Sequence, residues 1–342
     1  MSSETHMHRE IAEIPVAARR FLDEQKQAYG LAGKALRDKD PSVVVTVARG
    51  SSDHAALFLK YAIELTIGVP VASLGPSLAS IFEAPLKLQG GAAFCISQSG
   101  KSPDIVAMGK AARAGGALTI SLVNTISSPL AEIADQPIDI AAGPERAVAA
   151  TKSYVNSVVA GLAVLAEWAD DDLLRRALEE LPASFERALA LDWAALLKPL
   201  EVAQSLYVLG RGPTFAIASE AALKCKETCE LHAEAYSSAE VMHGPVSLVE
   251  KAFPVIAFAA GDKAESSIAA TASGMAGKGA NVFLSSLKGE GVSVLPAVET
   301  GHPLTDALAL IVPYYRFIEQ LSRARGFNPD SPVALNKVTE TE

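Results

Sequence analysis

Runs of β-branched and small apolar residues recur along this chain, each followed by a helix-patterned stretch, and the whole alternation occurs twice. In the first half the candidate strands are Val43–Ala48, Pro70–Leu74, Ala92–Ile96, Leu118–Val123 and Ile138–Ala141, with helical patterns such as Ala55–Ile67 and Asp104–Ala114 between them. The second half repeats the theme with Leu206–Leu209, Val255–Ala259, Asn281–Ser285 and Val292–Pro296. A strand that is apolar throughout has to be covered on both faces, and helices alternating with such strands make the sheet parallel. The expected fold class is therefore α/β, with two similar doubly wound parallel-sheet (flavodoxin-like) domains in tandem. VTVARGSSDHAALFLKYAIE from Val45 resembles YVLGRGPTFAIASEAALKCKE from Tyr207, each reading as strand, Arg-Gly turn and long alanine-rich helix. Two such units, one at the head of each half, suggest a duplication.

At 342 residues the chain has room for two sizeable cores. The expected map is an N-terminal helical segment over 1–40, with a helix around Ile11–Arg37, then a first domain over 41–170. An acidic stretch, Glu167–Asp172, leads into a helical connector over 171–199 that is expected to stop at Pro199. The second domain covers 200–325 and the tail 326–342.

The net charge of −9, with no basic stripe, argues against nucleic acid as a partner. No apolar run reaches the ~18 residues that a membrane span needs. The start, MSSETHMHREIAEIP, has no apolar core of a secretory signal. Three cysteines, Cys95, Cys225 and Cys229, suit reduced thiols and a cytoplasmic location. Cys225 and Cys229 lack a second Cys/His pair at ligand spacing and read as buried small residues, and His6, His8 and His54 form no ligand pattern, so no metal is expected.

Doubly wound sheets bind ligands beyond the carboxyl ends of their strands, so the loops there are the places to look. Arg49-Gly50-Ser51-Ser52 follows the first strand, and Ser97-Gln98-Ser99-Gly100-Lys101-Ser102-Pro103-Asp104 follows the third. Both open helices, and their hydroxyls and amide lie beside helix N–H groups, a set suited to a phosphate dianion. Serine and glycine are also ordinary turn and capping residues, so either loop alone would be unremarkable; two together favour a pocket. A third loop, Ala147–Ser153, also enters a helix, with Thr151 placed as an N-cap and Lys152 compatible with the surface. Neither a Walker motif nor a dinucleotide fingerprint is present, so nucleotide cofactors are not expected.

The segment Glu220–Val246 is the richest in chemistry. Glu220, Lys224 and Glu227 are spaced four and three residues apart, on one face of a helix, and His243-Gly244-Pro245 follows. Carboxylate, amine and imidazole are the groups of general acid–base catalysis. An ion-paired helix and a turn histidine would explain the same residues.

Taken together, ARGSS, SQSGKSPD, AVAATKSY, GRGP, EAALKCKE, LHAEAYSSAEVMHGP and the tail LNKVTETE resemble the sugar isomerase (SIS) domain family. The tandem form resembled is the isomerase half of glucosamine-6-phosphate synthase and its stand-alone relatives. The resemblance implies that Ser52, Ser97, Gln98, Ser99 and Ser102, with Ser51 beside them, contact a sugar phosphate, and that the Val148 backbone lines the sugar. It implies Glu227 as the base shuttling a proton between C1 and C2, and Lys224 as the lysine near those carbons. It implies His243 as the ring-opening residue, reaching into the neighbouring subunit of a homodimer. Lys337 would be the active-site lysine of a tail folding over the site, and Glu220 would have a supporting role. Without the resemblance, Lys337 reads as part of a loose polar tail.

Two departures touch the pocket's rim: Lys101 stands where the synthases tend to have an acidic residue, and Ala150 where they often have serine. The chain begins Met1-Ser2-Ser3, with no cysteine before Cys95, so glutamine hydrolysis by an N-terminal cysteine is not expected. The implied reaction is hydrolytic deamination of glucosamine 6-phosphate to fructose 6-phosphate and ammonia, without a cofactor. The alternatives are a deglycase or deaminase acting on fructosamine- or galactosamine-type phosphates, an aminotransferase-like isomerase, and a non-catalytic phosphosugar sensor. Under each, the partner is a phosphorylated amino sugar or ketose phosphate.

Overall fold

The computed structural model describes residues 4–332, so Lys337 and the rest of the LNKVTETE tail lie outside the described residues. The first five strands are β1 (Val44–Val47), β2 (Val71–Ser73), β3 (Ala92–Ser97), β4 (Leu118–Val123) and β5 (Gln136–Asp139). They form one sheet in the order β2-β1-β3-β4-β5, every pair parallel. The second five are β6 (Ser205–Gly210), β7 (His232–Ser237), β8 (Pro254–Ala257), β9 (Asn281–Leu284) and β10 (Ser293–Val294). Their order, β10-β9-β8-β6-β7, is the same doubly wound arrangement read from the opposite edge, again parallel throughout. The α/β expectation and the duplicated architecture are both met.

The chain divides into two units. One, formed by Ile14–Glu145 and Lys152–Pro182, carries the first sheet. Its central helix, Lys152–Ala169, has only two residues that are not buried, because helices Ile14–Glu24, Lys26–Lys39 and Ser51–Thr66 all pack on it. That enclosure is why the segment reads apolar all round. Lys152, the first residue of this helix, is 1% exposed, which corrects the surface reading of that residue.

The other unit comprises, among the described residues, the N-terminal residues through Glu13, the loop Arg146–Thr151 and the chain from Ala183 to residue 332. It carries the second sheet, whose helix Pro213–Cys229 packs on β6, β7 and the helix Ile311–Ala324. Cys225 and Cys229 face that last helix. The Cys225 Sγ lies 3.0 Å from the Tyr314 hydroxyl, and the Arg325 guanidinium donates to the Cys229 carbonyl at 3.1 Å, a cation at a helix C-terminus.

Three local readings change. The N-terminal helix is three helices, His6–Ala12, Ile14–Glu24 and Lys26–Lys39. The connector helix, Asp172–Leu189, runs through Pro182 and ends well before Pro199. Pro199 lies within the first turn of a short helix, Leu197–Glu201, where its missing N–H would have had no intrahelical partner anyway. Strand β7 escapes the sequence reading because it is an edge strand: HAEAYS alternates polar and small residues, and most of it is only half-buried.

No helix among the described residues is long and apolar enough to cross a membrane.

Candidate active site

In the first sheet the strand order reverses between β1 and β3, and the two serine-rich loops leave the ends of those two strands. This is the crevice that a doubly wound sheet offers to a ligand. Gly50 holds φ 56° and ψ −133°, a conformation that a side chain resists, and turns the chain from β1 directly into the helix Ser51–Thr66. Ser51 and Ser52 are thus the first two residues of that helix, both half-buried. After β3, the Gly100 N–H donates to Ser97 Oγ at 3.2 Å, and the Lys101 N–H donates to Ser99 Oγ at 3.3 Å. The Gln98 carbonyl accepts from Asn124 N–H at 3.0 Å, which pins the turn while its side chain stays half-buried. Ser102 precedes the helix Pro103–Ala114, and its hydroxyl takes no part in capping it.

The two loops are joined by a contact the sequence reading did not assign. The Arg49 Nε donates to Asp104 Oδ2 at 2.7 Å, with Asp104 1% exposed. Both residues lie inside quoted motifs, but nothing in one dimension says that they meet. The pair offsets a carboxylate at a helix N-terminus that would otherwise repel an anion. Beside it, burial holds the Asp53 carboxyl above its usual range, while His54 and Arg49 pull it down. Ser51, Ser52, Ser97, Gln98, Ser99 and Ser102 therefore all lie on these two coupled loops in one unit.

The second unit holds the acid–base cluster. On the helix Pro213–Cys229, the Lys224 Nζ lies 3.4 Å from Glu220 Oε1 and donates a short hydrogen bond to Glu227 Oε2. The Tyr315 hydroxyl, from the helix Ile311–Ala324, donates to Glu220 Oε1 at 3.0 Å. Glu220 and Lys224 are fully buried, whereas the Glu227 side chain keeps 21% of its exposure. Burial alone would depress the Lys224 amine, but the two carboxylates outweigh it and raise its pKa, so the lysine stays charged. Two carboxylates flank one ammonium on this largely buried helix face. Glu227 is its one solvent-accessible member.

His243 ends a 3-10 turn, Glu240–His243, and its side chain is exposed. The turn that follows is held by the Tyr207 hydroxyl, which donates to the Pro245 carbonyl at 3.0 Å. Val148 is half-buried in the loop Arg146–Thr151, and its N–H donates to the Asp330 carbonyl at 3.2 Å. Tyr315 and Asp330 lie in no quoted motif, and Tyr207, although it opens the second Arg-Gly unit, bonds to a carbonyl 38 residues away, so sequence alone does not pair any of them with these residues.

The SIS domain model matches residues 36–166 and 200–285, more than half of the chain and once per sheet. This chain belongs to the SIS domain family. It is 32% identical over 345 aligned positions to the glutamine–fructose-6-phosphate aminotransferase (isomerizing) of Sulfurisphaera tokodaii, the alignment covering 98% of this chain and 56% of that one. The chain thus spans about half the length of that curated relative. A crystal structure from Silicibacter pomeroyi DSS-3, provisionally assigned as a phosphosugar isomerase, is 52% identical with a TM-score of 0.93, covering 96% of this chain and all of that one. The C-terminal domain of glucosamine-fructose-6-phosphate aminotransferase from Francisella tularensis is 25% identical with a TM-score of 0.83, covering 97% of this chain and 99% of that one.

Proposed function

We propose that this protein deaminates glucosamine 6-phosphate, taking up one water to yield fructose 6-phosphate and ammonia. The observation that carries the reading is the Glu220–Lys224–Glu227 cluster, in which a single accessible carboxylate is backed by a buried charged lysine. The serine-rich loops bind the phosphate through Ser51, Ser52, Ser97, Gln98, Ser99 and Ser102. Once the ring is open, the Glu227 carboxylate takes the C2 proton and returns it to C1. The open-chain amino aldehyde becomes a 2-imino alcohol, and water adds at C2 and expels ammonia. No cofactor is needed, because the C1 carbonyl accepts the electron pair left at C2. Lys224 is a positioning residue in this scheme: fully buried between two carboxylates, it orients Glu227 and lowers the cost of its charge. The imino carbon is assigned to Lys337.

His243 is assigned to ring opening in the site of a neighbouring copy, an assignment supported by its exposed side chain on a turn fixed by Tyr207. The direction toward ketose is favoured because water is the only second substrate these residues require. The synthase-type direction would add an ammonia supply.

Ammonia and fructose 6-phosphate measured together, from glucosamine 6-phosphate without glutamine, test the reading. Both products should form in equal amounts, and Glu227→Gln should lower turnover by at least about a hundredfold while sugar-phosphate affinity changes little. Undiminished turnover in Glu227→Gln would remove the mechanism. Sugar-phosphate binding without either product in the wild type would favour a fructosamine-type substrate or a sensor.

A further inference from the structure

The loop that carries Val148 is held by two acidic residues far from it in sequence. Asp330 caps the helix His6–Ala12: its Oδ2 accepts from the His6 N–H at 2.8 Å and its Oδ1 from the Met7 N–H at 2.7 Å. The carbonyl of the same Asp330 accepts from the Val148 N–H at 3.2 Å. Further along that helix, Glu10 is 4% exposed, and its carboxylate accepts from the two preceding amides of the loop. The Arg146 N–H makes a short bond to Oε1, and the Ala147 N–H lies 3.2 Å from Oε2. Three consecutive backbone N–H groups, those of Arg146, Ala147 and Val148, are thus committed to Glu10 and Asp330. Bonds from N–H to a carboxylate are the stronger, charge-assisted kind. A loop with three successive donors engaged has little freedom to rotate its peptide planes.

We propose that Glu10 and Asp330 are positioning residues that fix the loop at Val148 in the shape that receives the sugar. The inference rests on the reading that the Val148 backbone lines the sugar. It adds that the N-terminal helix and the segment around Asp330 control that wall of the site, and that they act on the sugar rather than on the phosphate. Asp330 couples the two because one residue caps the helix and holds the Val148 amide.

Hydrogen exchange and calorimetry on Glu10→Ala and Glu10→Gln test this. Glutamine keeps one acceptor oxygen but presents an NH2 to the other loop N–H, so it should rescue only part of the effect. In Glu10→Ala, amides of peptides spanning 145–150 should exchange at least about tenfold faster, with Lys152–Ala169 unchanged. Fructose 6-phosphate affinity should fall about tenfold and inorganic phosphate affinity should hold, with Glu10→Gln between wild type and Glu10→Ala on both readouts. Unchanged loop exchange in the folded variants overturns the latch. Equal loss for both ligands overturns the sugar-specific role, since general destabilisation would do the same. If the wild type binds neither fructose 6-phosphate nor glucosamine 6-phosphate, the functional reading fails and takes the sugar role with it, and the exchange result still decides the latch by itself.

Discussion

Arg49 and Asp104, 55 positions apart, meet at 2.7 Å and tie the loop after β1 to the loop after β3. Each loop alone is a common strand–helix junction. Joined, they place the starts of a 16-residue helix and a 12-residue helix on either side of the point where the strand order reverses. A phosphate bound there would draw on both helix ends at once.

Arg49→Ala should therefore weaken fructose 6-phosphate binding by tenfold or more, and should do so for inorganic phosphate as well. The stability loss should be modest, about 1–2 kcal/mol, because the guanidinium is half exposed although Asp104 is buried. Arg49→Lys should recover part of the stability but less of the affinity, since an ammonium does not reproduce the guanidinium geometry. Calorimetric titration and urea unfolding read the two effects separately. Full affinity in Arg49→Ala would mean that the loops do not act as one site.

Removing Lys224 should cost far more. Lys224→Met leaves Glu220 and Glu227 without the cation between them, and breaking a buried pair from one side costs about 3–5 kcal/mol. Adding Glu220→Gln to Lys224→Met should restore much of it, because the remaining buried group is then neutral. The pH dependence has a definite sign. The Lys224 pKa is raised in the folded protein, so its stabilisation is complete below the ordinary lysine value of 10.5 and is lost as pH rises past it. The stability gap between wild type and Lys224→Met should stay flat from about pH 7 to 9.5 and narrow only above about pH 10.5. Urea titrations across that range would show it; a gap that closes near neutrality would assign the effect to another group.

The parts of this architecture that were legible in the sequence are those written locally. Central strands such as β3 and β4 are buried on both faces and carry few polar residues, and the Arg-Gly turns repeat with their flanking helices, so fold class and duplication could both be read. Edge strand β7 could not, because a strand with one open side no longer needs a continuous apolar run. The same divide runs through the site. Glu220, Lys224 and Glu227 share a helix face, so their spacing alone brings them together. Tyr315 on Glu220, Arg49 on Asp104 and Asp330 on Val148 are tertiary contacts between residues with no common local pattern. The burial of Lys152, at the start of its helix, is likewise set by tertiary packing rather than by its local sequence.

The cysteines should be inert in the folded protein. Burial pushes the Cys95 and Cys229 thiols up to about 12 and the Cys225 thiol up to about 11. At pH 8 the thiolate fraction is then at least about a hundredfold below that of a free cysteine, before access is considered. A colorimetric thiol reagent should label none of the three rapidly in native protein and all three in urea. Rapid labelling of one native thiol would place that cysteine at the surface.

The duplicated turns offer a test of the proposal that the first sheet, and not the second, binds phosphate. Gly212 repeats the Gly50 conformation closely, at φ 63° and ψ −135° against φ 56° and ψ −133°. An added Cβ would meet nothing within 4 Å at either position, so alanine introduces backbone strain without a steric clash. The strain should cost about 1–3 kcal/mol at each site and be similar at both. The consequences for binding should differ. Gly50 leads into Ser51 and Ser52, whereas Gly212 leads into Pro213, which has no N–H, and Thr214, whose hydroxyl is already bonded to the Arg211 backbone. Gly50→Ala should therefore lose stability and phosphate affinity together, and Gly212→Ala stability alone. If Gly212→Ala weakens inorganic phosphate binding as much as Gly50→Ala does, the phosphate does not belong to the loops of the first sheet.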